Sequence, residues 1–499
     1  MKKAFFLVCI LIVNCSWSQD YRYTTSIFPS STAITNVIYG VAPAISGPVY
    51  NEDSNITNQD LVMDIYKPTG DNFNLRPAVI FAHPGAFLLG NKGVDDMKAL
   101  CDTLSRKGYV TASIDYRMGF SLLENTELHS VRAVYRGIQD GRAAVRYLRA
   151  NAIQYGIDPT KIYFIGSSAG SFIALHTIYL DQTSEIPTQT GIVNYTTITP
   201  PFFHTTPSLG SLDIGANLTF NGKPDAVVSM WGAIQSTNLI TASNTTPVLL
   251  IHGEADTSVS FNTGSPFNFS SFPPADGSNP INTKLNSLGF TNHETYFVTG
   301  EPHEFYGTTN GTWSNGTGGN SYLPIITNRI TQFLWKQHKP IADFTWTPNQ
   351  LSVSYNDTST NSQAWWWDFG DGTFSNDQNP THNYSVAGSY QVKLYIENNI
   401  KSWDTITKTV VLPNLSIDQN SNNLFSVHPN PTFDKIEIKC NTNFQKLKCV
   451  ITSILGEIVM EKELKNTIES ISLSSLNSGI YFVKLSSENS EQVIKIIKQ

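Results

Sequence analysis

Ile162-Tyr163-Phe164-Ile165-Gly166-Ser167-Ser168-Ala169-Gly170-Ser171-Phe172-Ile173-Ala174-Leu175 is the stretch on which the fold turns. Its first four residues predict a buried strand, and its last four continue into an apolar helix. Between them stands G-x-S-x-G. The glycines have a steric role here. Gly166 and Gly170 clear room for a turn tight enough to hold Ser168 in a strained conformation, its hydroxyl above the sheet edge and at a helix N-terminus. Gly and Ser are common turn residues, so the pentapeptide by itself says little. The strand before it and the helix after it are the context in which it becomes a nucleophile elbow.

Working outward, short runs rich in Val and Ile alternate with helical patterns from about residue 60 to 338. Leu61 to Tyr66, Ala78 to Ala82, Tyr109 to Ile114, Lys161 to Ile165, Ala226 to Met230, Val248 to Ile251 and Glu294 to Val298 predict the strands of a doubly wound, mostly parallel sheet, an α/β fold. Between the third and fourth runs, Val131, Val134, Ile138, Val145 and Leu148 share one helical face. Arg132, Arg136, Arg142, Arg146 and Arg149 lie mostly off it and read as a solvated surface. Asp181 to Gly222 breaks the rhythm with Thr, Pro and Gly and is a candidate lid insertion (181–222). The loops Asn262 to Ser278 and Thr308 to Asn320 have a similar composition and are expected to flank the same mouth.

A serine hydroxyl needs a base, and the base needs an orienting acid. In an α/β sheet of this kind the chain order is Ser, acid, His, which leaves His293, His303 and His338 of the ten histidines. His303 follows the Glu294 to Val298 run, at the end of the strand where ligands bind in open α/β sheets. The acid is expected after Val248 to Ile251, where Asp256 is preferred to Glu254 and His252 reads as a packed loop residue. The catalytic set is therefore Ser168, Asp256 and His303. Small residues in His83-Pro84-Gly85-Ala86-Phe87 let backbone approach a substrate. Pro84 has no N–H to give, so the oxyanion donors are assigned to Gly85, Ala86 and Ala169.

The 499 residues suggest several domains, and 40% hydrophobic against 15% charged residues with 33 Gly and 25 Pro describes globular, turn-rich structure. A formal charge of −7 and the lack of a basic run exclude a nucleic-acid partner. Lys2, Lys3 and the apolar run Ala4 to Val13 predict a cleaved signal peptide over 1–19. No later stretch is apolar for long enough to span a bilayer, which predicts a soluble mature chain. Of the five cysteines only Cys440 and Cys449 could pair, so no disulfide framework supports the first domain. No metal-ligand spacing such as H-E-x-x-H or C-x-x-C occurs, and neither a catalytic metal nor a cofactor is expected. Asp368-Phe369-Gly370 spells a kinase triplet without the rest of a kinase; in Trp366-Trp367-Asp368-Phe369-Gly370-Asp371-Gly372 it precedes a turn between strands.

The elbow, the His83 loop and Ser113-Ile114-Asp115-Tyr116-Arg117 resemble the α/β-hydrolase superfamily, in particular esterases whose oxyanion loop reads H-G-G-[GA]-[FW]. The likeness covers about 58 to 338, and Pro84 is its departure from the pattern. The Trp366 to Gly372 string, with Asn379 to Tyr384 and Gly388 to Val392, resembles a PKD domain, an immunoglobulin-like sandwich. Val427-His428-Pro429-Asn430-Pro431, Ile454 to Glu457 and Leu476 to Lys484 resemble a type IX secretion C-terminal sorting domain. The resulting layout is 1–19 signal, 20–338 hydrolase, 339–413 PKD, 414–423 linker and 424–499 sorting domain, the last two folded domains being small all-β sandwiches.

These resemblances imply a serine carboxylic-ester hydrolase working through an acyl-enzyme. They further imply a Bacteroidetes-like bacterial source, export through the periplasm, and secretion or cell-surface attachment by the type IX machinery. Secretion favours an ester too large to import, such as acetyl or feruloyl groups on polysaccharide, other short-chain esters, or a polyester or lipid. Serine peptidase chemistry shares the triad, but only about 60 residues precede the first core strand, too few for a propeller gate. A polymer-binding or adhesion protein on an inactive scaffold would not need the three residues in order. Trp365, Trp366 and Trp367 are read as a possible polymer contact, one or two of them belonging to the sandwich core.

Overall fold

The computed structural model describes residues 21–45, 56–122, 124–196, 201, 203–413, 425–440, 447–487 and 490–499. The expected signal (1–19) and linker (414–423) lie outside them. Two compact units divide at Leu412/Pro413.

The first unit is built on an eight-stranded sheet. Its strands are β1 (Ser31–Ile45), β2 (Ile56–Pro68), β3 (Arg76–Ala82), β4 (Val110–Ile114), β5 (Ile157–Ser167), β6 (Ala226–Met230), β7 (Val248–Gly253) and β8 (His293–Val298). Their order is β1-β2-β4-β3-β5-β6-β7-β8, antiparallel from β1 through β2 to β4 and parallel from there on. In β3, Ala78, Ile80 and Ala82 face one core while Val79 and Phe81 face the other, and all are fully buried. A strand covered on both faces has no polar side to alternate with, which is why it reads as an unbroken apolar run. The helices α1 (Asp95–Arg106), α2 (Thr126–Ala150), α3 (Ala169–Tyr179), α4 (Ser278–Ser287) and α5 (Tyr322–Lys336) cover it. Val145, Leu148, Ile173 and Leu175 pack on one face; Met97, Leu104, Ile330 and Phe333 pack on the other.

Two expectations are corrected. The arginines of α2 are not a solvated face: Arg132, Arg136, Arg142 and Arg146 are buried. Arg132 donates to the carbonyls of Gln189, Gly191 and Pro207. Arg142 and Arg146 hold Asp213, and Arg146 also donates to Ile214 O. Gln139 and Tyr135 add bonds to the carbonyls of Leu209, Ser211 and Gly210. A segment with little secondary structure of its own leaves carbonyls unsatisfied, and a row of guanidinium forks beneath it satisfies them. The 181–222 insertion is thus fastened along α2. The second correction concerns Thr308 to Asn320, which packs at the start of α1 through Asp96 N–H to Gly311 O and Trp313 N–H to Asp95, away from the mouth. Strand β1 escaped the sequence pattern because register shifts at Ile34/Val37 and Ile38/Gly40 break its alternation.

The second part of this unit is a sandwich of two sheets, over Phe344–Asn349, Ser352–Asp357 and Thr381–Asn383, and over Ala364–Asp368, Phe374–Ser375, Gly388–Glu397 and Trp403–Leu412. Trp367 lies in its core with Phe344, Tyr355 and Phe369. Trp365 is half-buried and donates to Asp357, and Trp366 packs edge-on against Tyr395. Trp367 thus belongs to the sandwich core and Trp365 packs against it, while Trp366 is half-buried beside Tyr395. The sandwich docks directly on the α/β domain. His338 bonds Tyr109 Oη at 3.0 Å and Ser402 Oγ at 2.9 Å, Tyr23 Oη donates to Ile400 O, and Trp403 Nε1 donates to Arg22 O.

The second unit is also a two-sheet sandwich, with Ile436, Ile438, Ile451, Val483 and Ile496 in its core. Cys440 and Cys449 are free thiols buried there.

Candidate active site

The loops that follow β3, β5, β7 and β8 at their C-terminal ends converge on one spot. Ser168 sits between β5 and α3 with φ 52 and ψ −115. A Cβ on Gly166 would collide with the Gly170 carbonyl, and one on Gly170 with the Ala82 carbonyl. Both glycines are thus required by close backbone approach. Ser168 N–H donates to Met230 O at 3.0 Å, and Ser171 Oγ bonds Gly166 O, so the turn is braced from β6 and from its own helix.

His303 Nε2 lies 2.9 Å from Ser168 Oγ, and its Nδ1 lies 2.6 Å from Asp256 Oδ2. The carboxylate acceptor makes Nδ1 the donor, which leaves Nε2 free to take the serine proton. Asp256 accepts the N–H groups of Ser258 and Val259 on its other oxygen. Burial alone would push Asp256 up, but hydrogen bonds from His252 and His303 outweigh it and hold the carboxylate at about 2. His252 is packed, as expected, and it also braces the acid: its Nε2 is 3.2 Å from Asp256 Oδ2 and 3.0 Å from Val259 O, with Ser278 Oγ on Nδ1. Glu254 is exposed and accepts from Thr299 instead.

In the His83 loop, Gly85, Ala86 and Phe87 have φ of 119, 53 and 58. Two of these are non-glycine residues held at positive φ, a backbone strain of the kind that persists at functional loops. Gly85 O ties the turn by accepting from Leu88 and Leu89. His83 stacks on Tyr116, whose hydroxyl donates to His83 O. Among the described residues no group accepts from the N–H of Gly85, Ala86 or Ala169.

Several supporting residues had no signal in the sequence. Tyr306 donates to the buried Asp96, whose carboxyl burial pushes up to about 8, and Trp231 donates to Ser167 Oγ beside the elbow. Glu304, buried with φ 48, accepts from Thr308 and Gly311 N–H and so fixes the loop that carries His303. The Tyr306–Asp96 and Trp231–Ser167 pairs unite segments 210 and 64 residues apart, so spacing could not reveal them, while the Glu304 contacts are local but follow no motif.

Beside Ser168 and Ala86 opens a cavity of about 360 Å³ between α2, α3 and the 266–275 loop. Phe87, Phe120, Val134, Ile138, Phe172 and Phe272 are among the apolar side chains that line it. The Asn262 to Ser278 loop thus borders the mouth as expected, while of the described residues of the 181–222 insertion only Pro187 lines it. No group of His, Cys, Asp or Glu among the described residues is arranged to hold a metal ion. No described helix is long and apolar enough to cross a membrane.

Comparison with known proteins places three family models along the chain: BD-FAE over 63–201, a PKD domain over 338–412 and a secretion system C-terminal sorting domain over 426–499. A probable isoprenylcysteine alpha-carbonyl methylesterase of Oryza sativa is 33% identical over 23% of this chain and 24% of its own length. Carboxylesterase 3B of Mus musculus is 32% identical over 24% of this chain and 20% of its own. The chain thus spans between a fifth and a quarter of these curated relatives. Among solved structures, esterase 2 of Thermogutta terrifontis is 19% identical, with a TM-score of 0.38 over 60% of this chain and 96% of that one. The chain thus matches, in order, the BD-FAE, PKD and secretion-system C-terminal sorting models, the first of them on the α/β sheet described above.

Proposed function

We propose that the chain is an exported serine carboxylic-ester hydrolase. The observation that carries this is the single relay Ser168 Oγ to His303 Nε2, His303 Nδ1 to Asp256 Oδ2, at 2.9 and 2.6 Å, opening on an apolar cavity. Ser168 Oγ attacks the ester carbonyl while His303 takes its proton. Asp256, ionised at neutral pH, stabilises the imidazolium. The N–H groups of Ala86, Ala169 and Gly85 receive the oxyanion. Collapse expels the alcohol, which leaves with the proton from His303, and water deacylates the serine by the same steps in reverse order. The sorting tail implies export, then secretion or surface attachment, and passage through the periplasm follows if that tail is used.

The test is turnover of p-nitrophenyl acetate and butyrate by the full chain and by Ser168→Ala. The variant should lose about 10⁴-fold or more in kcat. Equal rates in the two proteins, or cleavage of peptides but not esters, would sink the proposal.

A further inference from the structure

The cavity beside Ser168 has a chemistry of its own. Aromatic and aliphatic side chains make most of its wall, and its volume of about 360 Å³ far exceeds what the methyl of an acetyl group fills. If each non-hydrogen atom of a chain occupies roughly the 30 Å³ share of one water, the space suits a substituent of up to about twelve such atoms. Polar side chains reach the wall at Ser130, Tyr135, His176 and the exposed Gln235, and the donors of the first three are committed. Ser130 Oγ donates to Glu127 O, Tyr135 Oη to Gly210 O, and His176 Nδ1 to Phe172 O. His176 Nε2 accepts from Gln235 N–H. Among the described residues, a sugar or hydroxylated ring seated here would find only the exposed Gln235 amide to serve its several oxygens, and each buried polar group left without a partner costs about 1–3 kcal/mol.

We infer that one half of the ester is an apolar group without hydroxyls, linear or aryl and of about six to ten carbon atoms, held in this cavity while the carbonyl lies at Ser168. The inference rests on the ester-hydrolase reading and narrows it, turning away from the acetyl and feruloyl groups expected from the sequence. Phe87 and Phe172 bring the wall to within a few residues of the oxyanion loop and the elbow, so the apolar group and the reacting carbon share one rigid frame.

The experiment uses the full chain in two arms. One lengthens the acyl group, from p-nitrophenyl acetate through butyrate and hexanoate to octanoate. The other keeps acetate and enlarges the alcohol, from methyl to octyl and benzyl. In the arm whose group occupies the cavity, kcat/KM should climb by up to about fourfold per methylene, and by tenfold or more across the series. Methyl cinnamate should be cleaved faster than methyl ferulate. Val134→Phe, which narrows the cavity from α2, should lower kcat/KM for the longest good substrate at least tenfold more than for its shortest homologue. A flat or falling profile in both arms, or ferulate ahead of cinnamate, overturns the inference while leaving the hydrolase standing. Turnover of no ester at all overturns both.

Discussion

Acidification from pH 7 to pH 5 should loosen the first unit, and His338 allows one contribution to be isolated. Burial holds the His338 imidazole down at about 3, and holds those of His83 and His176 down at about 4. In the unfolded chain each titrates near 6.5. Between those values the unfolded state binds the proton and the folded state does not. The stability these groups confer is therefore complete above about pH 6.5 and lost as pH falls toward the folded values. At pH 5 each group costs about 2 kcal/mol relative to pH 7, together about 6 kcal/mol. Asp96 works in the opposite sense. Its carboxyl stays protonated to about 8 in the fold but ionises near 3.8 in the unfolded chain, so the same acidification returns a little under 3 kcal/mol. For these four groups the net loss is about 3 kcal/mol, and His129, which burial likewise holds at about 4, adds about 2 more, together a large share of an ordinary domain stability of about 5–15 kcal/mol.

His338→Gln removes one titrating group. It should be less stable than wild type at pH 7, because bonds to Tyr109 and Ser402 are disturbed, yet about 2 kcal/mol of that gap should vanish at pH 5. The assay is urea unfolding of the full chain followed by tryptophan fluorescence. Every tryptophan precedes Pro413, so the signal reads the first unit alone. A gap between wild type and variant that is the same at both pH values would refute the reasoning.

Three further outcomes are expected. Asp256→Asn should cut kcat by about 10⁴-fold by turning the relay to the wrong tautomer, while Glu254→Gln, at an exposed side chain bonded to Thr299, should stay within a few-fold of wild type; steady-state rates on p-nitrophenyl butyrate decide it. Arg132→Met should free the carbonyls of Gln189, Gly191 and Pro207, so limited proteolysis should cut within 181–222 sooner than in wild type, and an unchanged cleavage pattern would mean the clamp is redundant. Gly170→Ala should destabilise the fold by about 3 kcal/mol or more, because the added methyl meets the Ala82 carbonyl rather than a yielding side chain; an unshifted melting curve would contradict that.

The parts of this protein that could be read from its sequence are those whose cause is local. Ser168 was legible because the elbow's strand, glycines and helix are contiguous, and His303 because chain order left few candidates. Even Asp256 over Glu254 followed from reach along one loop. The α2 arginines were misread because their partners are carbonyls of an unpatterned segment some 60 to 70 residues away, and nothing in a helical wheel distinguishes a guanidinium facing water from one facing backbone. The cavity was invisible for the same reason: Phe120, Phe172 and Phe272 are ordinary apolar residues until the fold brings them together. Asp96 and Tyr306 join α1 to the loop after β8, and Trp231 joins the ends of β6 and β5, and no spacing rule spans those distances.

The joint around His338 also bears on the order in which the molecule is completed. Trp403 bonds Arg22 across 381 residues and Tyr23 bonds Ile400 across 377. A chain made from its N-terminus offers residues 22 and 23 at the outset and their partners only after the whole α/β domain has been synthesised. Contacts of such long range form late and slowly. Residues 22 and 23, already tied to Asp71 and Lys107 within the α/β domain, thus gain their last partners only once the sandwich is made.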